Sequence, residues 1–266
     1  MSNGPKKSAR GLIERHISQQ HFDLTIISPS DPLAGLIANY WLVEWDLPAD
    51  TQYSQLNLPH ASQHLVVDPQ IQSGVFGITS GAFEYQLSGR GRVFGAKFLP
   101  GHFRRIAQHS MAKLTDQAVP ISSYFDVDDN SLESRFGGEA NSSDFAPFIE
   151  DLLIAVNPVD DPKAQLAQSA VSFIEQNLEI FTVNSVARHC DMSPRALQRL
   201  FAEYVGISPK WVIERYRMIE AVEAMNNKGA MSFTELAHAL GYFDQAHFSK
   251  AFRRLVGRSP SEILAP

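Results

Sequence analysis

The chain has 266 residues, 44% of them hydrophobic, with 23 Lys+Arg against 29 Asp+Glu and a net charge of −6. That length predicts two domains, and the acidic balance argues against a protein that coats nucleic acid non-specifically. The single cysteine, Cys190, excludes an internal disulfide and points to a reducing, cytoplasmic setting.

Residues 1–22 begin MSNGPKKSARGLIERHISQQ, with charges but no apolar run, so a flexible start without a signal peptide is expected. No run of 18 apolar residues occurs, so no membrane association is expected. Residues 23–157 read as a β-rich domain with a helical end. Short strands are predicted at 24–28, 37–45, 52–58, 63–67, 73–79, 82–87 and 92–99, punctuated by Gly, Pro, Asn and Asp as in an all-β barrel or sandwich. Alternation is clearest in Asn39–Trp45, and Gly89–Arg92 reads as a tight turn. Helices follow at Gly101–Gln108, Asp129–Phe136 and Ser143–Val156. Residues 158–165, overlapping the Pro/Asp-rich stretch Asn157–Pro162, form the expected linker, and a helix at Ala164–Asn177 opens the second domain.

Residues 1–163 hold 12 Lys+Arg and 19 Asp+Glu, a net of −7, whereas residues 164–266 hold 11 and 10, a net of +1. Positive charge is local: Asp244–Arg258 carries Lys250, Arg253, Arg254 and Arg258 against one acid. In the same region an amphipathic helix with Phe233, Leu236, Ala237 and Leu240 inward meets a turn at Gly241. A second helix follows with Phe248, Phe252 and Leu255 at helical spacing. This is a helix-turn-helix pattern. It occurs once before: Ser193–Pro209 aligns with Asp244–Pro260, Leu197 with Phe248, Phe201 with Phe252, and Ala187 with Ala237, which makes the second turn one residue longer. Each unit, about 183–206 and 232–257, closes on Gly-x-Ser-Pro: Gly for a positive-φ helix end, Ser as cap, Pro at the first position of the next helix. Between them Pro209–Asn226 shows a helix period with a polar opposite face. Its 18 residues span roughly 27 Å. With flanking turns that suits two recognition helices one DNA turn apart, about 34 Å.

On these residues, and on the run from Ala237 through Gly241-Tyr242-x-Asp244-x-Ala246-His247-Phe248-Ser249-Lys250 to Gly257-x-Ser259-Pro260, residues 166–266 resemble the DNA-binding domain of the AraC/XylS family of bacterial transcription regulators. Asp191 departs from the pattern, standing where the first turn usually has Gly; Asp tolerates left-handed geometry, so the turn is expected to survive. The resemblance implies base contacts from Arg195, Gln198 and Arg199 in the first unit, and from Gln245, Ala246, Ser249 and Lys250 in the second. Arg suits guanine and Gln adenine, whereas Ala246 meets only a thymine methyl, so the first unit should discriminate more. Phosphate contacts are expected from Ser193, His247, Arg253, Arg254 and Arg258.

The first half, through Tyr40-Trp41, Leu58-Pro59-His60…His64-Leu65-Val66 and Gly91–Gly101, resembles the N-terminal domain of a subset of AraC-type regulators. The resemblance implies a cupin-like half-barrel that binds a small-molecule effector and forms a homodimer. The expected fold class is therefore α+β: a β-rich half-barrel with flanking helices, then an all-α domain of two helix-turn-helix units joined by a linker helix. Pocket candidates are Trp41, Trp45, Tyr53, His64, Phe83, Arg92 and Lys97, although core packing for the aromatics and surface charge for the basic residues are the plainer readings. His60 and His64 lie four apart in extended chain, roughly 13 Å, too far for one ion, so no metal or other cofactor is expected. Some DNA-alkylation-repair proteins join this DNA-binding domain to a reactive cysteine cluster, but one cysteine builds none, and Cys190 reads as a small apolar packer. The expected function is transcription regulation, as an activator on double-stranded promoter DNA with RNA polymerase as partner and no catalytic residues. The alternative is a DNA-binding module fused to a metal-dependent β-barrel enzyme.

Overall fold

The computed structural model describes residues 13, 18, 20–138, 144–156, 158–177, 179–180, 182–226 and 232–264. Most of the expected flexible start, with Ser143 and Asn157, lies outside them. Within that start, Ile13 and Ser18 are buried; the Ile13 N–H donates to Leu56 O, 3.3 Å away.

The strands are β1 Asp23–Ile27, β2 Ile37–Asp46, β3 Gln52–Asn57, β4 His64–Val67, β5 Gly74–Phe76, β6 Phe83–Ser88, β7 Arg90–Phe98 and β8 Ala118–Val119. Six make one antiparallel sheet in the order β1-β2-β7-β4-β5-β8, while β3 and β6 pair as a separate ribbon. Two strand expectations need correction, and β8 was not expected. β5 stops at Phe76 because Gly77 leaves the ladder and lies against Leu114, so close that a Cβ would sit 1.7 Å from its carbonyl oxygen. The turn expected over Gly89–Arg92 is carried by Gly89 alone (φ 54); Arg90 and Gly91 already belong to β7. β8 has only two residues, too few to show an alternation.

Helices α1 Arg104–Ala107, α2 Asp129–Gly138 and α3 Phe145–Val156 follow. α1 is shorter than expected because Gly101 (φ 83) and Gln108 (φ 56) adopt left-handed geometry at either side of it. These helices cover one face of the large sheet. Tyr40, Leu42, Leu65, Val67, Phe94 and Phe98 meet Phe103, Phe136, Phe145 and Ile149 there in one core. The other face carries the alternate residues of the same strands and looks toward the β3–β6 ribbon across a cavity.

The second domain comprises α4 Pro162–Gln176, α5 Val183–His189, α6 Pro194–Leu200 with a π-helical turn at Phe201–Val205, α7 Pro209–Asn226, α8 Phe233–Ala239, α9 Gln245–Val256 and α10 Pro260–Leu264. α4 begins inside the expected linker, capped by Asp161, whose carboxylate accepts from the Lys163 N–H. The Gly-x-Ser-Pro closures behave as their residue types dictate. Gly206 (φ 99) and Gly257 (φ 82) end their helices. Ser208 Oγ then accepts from Trp211 N at 3.2 Å, and Ser259 Oγ from Glu262 N at 3.3 Å. Phe201, Phe248 and Phe252 are fully buried, each contributing about 1.5–3 kcal/mol.

Candidate DNA-binding surface and ligand cavity

The two helix-turn-helix units share one turn geometry. Met192 N–H donates to Ala187 O, and Tyr242 N–H to Ala237 O, each at 2.9 Å. Asp191 (φ 51) takes the left-handed position that Gly241 (φ 72) takes in the second unit, so the turn tolerates this departure. The extra residue of the second turn is Phe243, 85% exposed. Asp191→Val is expected to cost about 1–2 kcal/mol through left-handed strain, with Asp191→Gly close to wild type. Urea unfolding of the three proteins checks this, and an unperturbed Val variant would contradict it. Cys190, next to this turn, is half-buried; burial first, then the Asp191 charge, pushes its thiol pKa up, consistent with a packing role.

On α6, Ser193 caps the helix, accepting from the Ala196 N–H at 3.2 Å. Leu197 and Leu200 are buried, which turns Arg195, Gln198 and Arg199 to the exposed side. On α9, Asp244 is the cap, accepting from the His247 N–H at 2.7 Å. Gln245, Ala246 and Lys250 are exposed and Ser249 is half-buried. The Thr234 hydroxyl donates to the Gln245 amide oxygen at 3.1 Å, and exposed His247 packs edge-on against Tyr242. Arg253 is exposed. Arg254 instead pairs with Glu214 of α7 at 2.6 Å, and Arg258 with Glu84 of β6 at 2.8 Å. Each such exposed pair is worth about 0–1 kcal/mol, so a phosphate competes with either at small cost.

α7 differs from expectation. Its apolar stripe is in place, but much of the rest of its surface is not solvated, because the first domain lies on it at Trp211 and Arg215 and the second helix-turn-helix unit at Glu214 and Arg217. Arg215 is 1% exposed, against the first domain, and Arg217 is 9% exposed, its guanidinium 5.8 Å from the Tyr242 ring. Arg215 donates through Nε to Pro59 O and through Nη2 to Leu58 O, the latter at 2.7 Å, while its Nη1 has no partner among the described residues. Leu56, Leu58, Ala61 and Ile78 of the first domain belong to the core of the second. Gln63 donates to Val205 O at 2.8 Å, Trp211 Nε1 to Ser80 O at 2.8 Å, and Ala82 N to Leu255 O at 3.0 Å.

The cavity between the large sheet and the β3–β6 ribbon measures about 450 Å³. Register builds its floor. Asn39, Lys97 and His64 stand side by side across β2, β7 and β4; Trp41, Gly95 and Val66 form the next row, and Val43 and Val93 the one after. Gly95 is required here because the Trp41 indole lies across it: a Cβ would fall 2.1 Å from Cε2. Crossing β7 in this way lets Trp41 Nε1 donate to His64 Nδ1 at 3.2 Å, which leaves the His64 proton on Nε2. Burial first, and the Lys97 charge second, lower the His64 pKa to about 3, so the ring is neutral. Burial likewise lowers Lys97 to about 8, with Glu175 opposing and Arg215 reinforcing the shift.

Of the pocket candidates, Trp41, His64, Phe83 and Lys97 line this cavity; the other three do not. Trp45 is buried beside it and donates to Ser88 O at 3.2 Å. Tyr53 stacks on His21 and donates to Gln55. Arg92 turns to the helical side, donating to Phe136 O and Gly137 O at the end of α2. His60 also lines the cavity, yet no cluster of metal-ligating residues occurs among the described residues. Sequence reasoning missed Asn39, Gly95 and Val66, whose roles depend on strand register. It also missed Arg215, whose helical position gave no sign of a covering domain.

Two families match the chain: a helix-turn-helix domain over residues 186–265, and a domain of unknown function over residues 25–120. The XylDLEGF operon transcriptional activator 1 of Pseudomonas putida is 35% identical over 101 residues, covering 36% of this chain and 30% of that protein. The arabinose operon regulatory protein of Escherichia coli is 31% identical over 124 residues, covering 44% and 42% respectively. The chain thus spans less than half the length of these curated relatives. A solved transcriptional regulator from Chromobacterium violaceum, of the AraC-type DNA-binding class, is 28% identical, covering 36% of this chain and 85% of that one at a TM-score of 0.33.

Proposed function

From the match of residues 186–265 to a helix-turn-helix family and the likeness of this region to AraC/XylS-type regulators, we propose that the chain is a sequence-specific DNA-binding regulator of transcription, an activator that acts in the cytoplasm as a homodimer together with RNA polymerase. The observation that carries this reading is the pair of matched recognition helices, α6 and α9, each with an exposed polar face and a buried apolar one, joined by the 18-residue α7. Arg195, Gln198 and Arg199 read bases from α6, and Gln245, Ala246, Ser249 and Lys250 from α9. Ser193, His247 and Arg253 hold phosphates, joined by Arg254 and Arg258 once these leave their carboxylate partners.

The cavity is the effector site in this reading. Leu58, Pro59, Ile78 and Phe83 line it, and the same two segments carry the contacts to α7 and α9 through Arg215, Trp211, Ala82 and Glu84. A ligand that fits one domain arrangement better than another shifts the population of DNA-competent molecules. Competition binding on a library of sites tests the DNA assignment. Arg199→Ala should relax preference at one base position, costing about 1–3 kcal/mol for the favoured base. Arg253→Ala should weaken all sites evenly and reduce the salt slope by about 1. Equal losses at every site for both variants would sink the assignment.

A further inference from the structure

The charges at one end of the cavity do not balance. Lys97 lines it and is half-buried, and no hydrogen bond or ion pair to the described residues reaches its ammonium. The groups that act on Lys97 electrostatically are Glu175 of α4 and Arg215 of α7, one acid against a second cation, and the Arg215 Nη1 has no partner among the described residues. Neighbouring His64 is neutral and Asn39 uncharged. The acid that lines the cavity, Asp68, is already occupied: Gln70 N, Ile71 N and the Tyr85 hydroxyl donate to it at 3.0, 3.2 and 2.7 Å. Asp68 also stands four residues along from His64, roughly 13 Å in extended chain, so it does not neutralise Lys97. Between these ends the surfaces are mostly apolar, with Trp41, Val43, Val66 and Val93 facing Phe83 and Leu87. An excess of one positive charge at the end of an apolar chamber calls for a ligand with one negative charge and a hydrophobic body. A dianion would need a second cation lining the cavity, and Arg215 is not among its lining residues.

We propose that this cavity receives an organic monoanion, an apolar body ended by one carboxylate, which pairs with the Lys97 ammonium beside Asn39 and His64. The proposal rests on the reading of the cavity as the effector site, and it names the class of effector.

The test compares three probes with one body and different head groups: 4-butylbenzoate, 4-butylbenzyl alcohol and 4-butylbenzylamine, titrated calorimetrically into the full chain. The carboxylate is expected to bind about 30-fold tighter than the alcohol, as one charge-assisted hydrogen bond in a sheltered site allows. The amine should bind weakest. Lys97→Met should erase the preference for the carboxylate while retaining the alcohol, and Lys97→Arg should keep most of it. Alcohol binding as tight as carboxylate binding in the wild-type chain, where no variant is involved, overturns the proposal. So does failure of the carboxylate to bind, or a preference that survives Lys97→Met. DNA binding of the same preparation without any probe is measured separately: its loss with head-group preference intact defeats the regulator reading and leaves the anion site standing.

Discussion

Arg215→Met is expected to lower stability by about 2 kcal/mol, the balance of two opposed effects. It strips the Leu58 and Pro59 carbonyls of their donors, a loss of about 1–3 kcal/mol for each buried acceptor left unpaired. It also removes a buried guanidinium whose Nη1 has no partner among the described residues, which returns part of that loss, and Met fills much of the volume. At roughly 2–4 °C per kcal/mol for a chain of this size, the melting temperature should fall by about 4–8 °C. The shape of the transition is more diagnostic than its midpoint. In the wild-type chain Leu56, Leu58, Ala61 and Ile78 share one core with the second domain, which predicts a single cooperative endotherm. In the variant the two halves lose their central polar tie, so the endotherm should broaden or split. Calorimetry showing one transition at an unchanged temperature would mean that Arg215 does not couple the domains.

What the sequence disclosed, and what it did not, follows from the range of the interactions involved. The helix-turn-helix units were legible because their determinants are local: apolar spacing, the capping Ser of each Gly-x-Ser-Pro closure, and the Gly206 and Gly257 helix ends are all readable within a few residues. The length of α7 and the extra residue of the second turn were legible for the same reason. The face of α7 was not, since a helix covered by another domain has the same periodicity as one facing water, and Arg215 in an amphipathic pattern reads as solvated. In the sheet, the alternation of Asn39–Trp45 located β2 but did not separate core from solvent. Tyr40 and Leu42 pack against helices while Trp41 and Val43 line the cavity, so both faces are covered. Lys97, Asn39 and His64 meet only through the register of three strands, two of them far apart in sequence. The sequence therefore put Lys97 and Arg92 together as basic candidates, whereas the fold sends Arg92 to the opposite side of the sheet.

His64 makes the cavity a source of acid sensitivity, and the sign is fixed. Its pKa in the folded chain, about 3, lies below the ordinary value of about 6.5 that applies once the chain unfolds. Between those values the unfolded chain binds the extra proton, so the contribution of His64 to stability is complete above about pH 6.5 and is lost as pH falls toward 3. At about 1.4 kcal/mol per pH unit the full linkage from pH 6.5 to 4.5 is about 2.7 kcal/mol. His64 is half-exposed to the cavity, and water there reduces the expected loss to about 1–2 kcal/mol. His64→Gln keeps an acceptor for the Trp41 indole N–H but carries no titrating group. Urea midpoints at pH 7, 6, 5 and 4.5 should therefore fall more steeply for the wild-type chain than for His64→Gln, because the carboxylates and His102 titrate in both and cancel in the difference. Lys97→Met should recover part of the slope, since the Lys97 charge is the second cause of the depressed pKa. Parallel pH profiles for wild type and His64→Gln would show that the imidazole is solvated when protonated, and that the end of the cavity around Lys97 is more open to water than its packing implies.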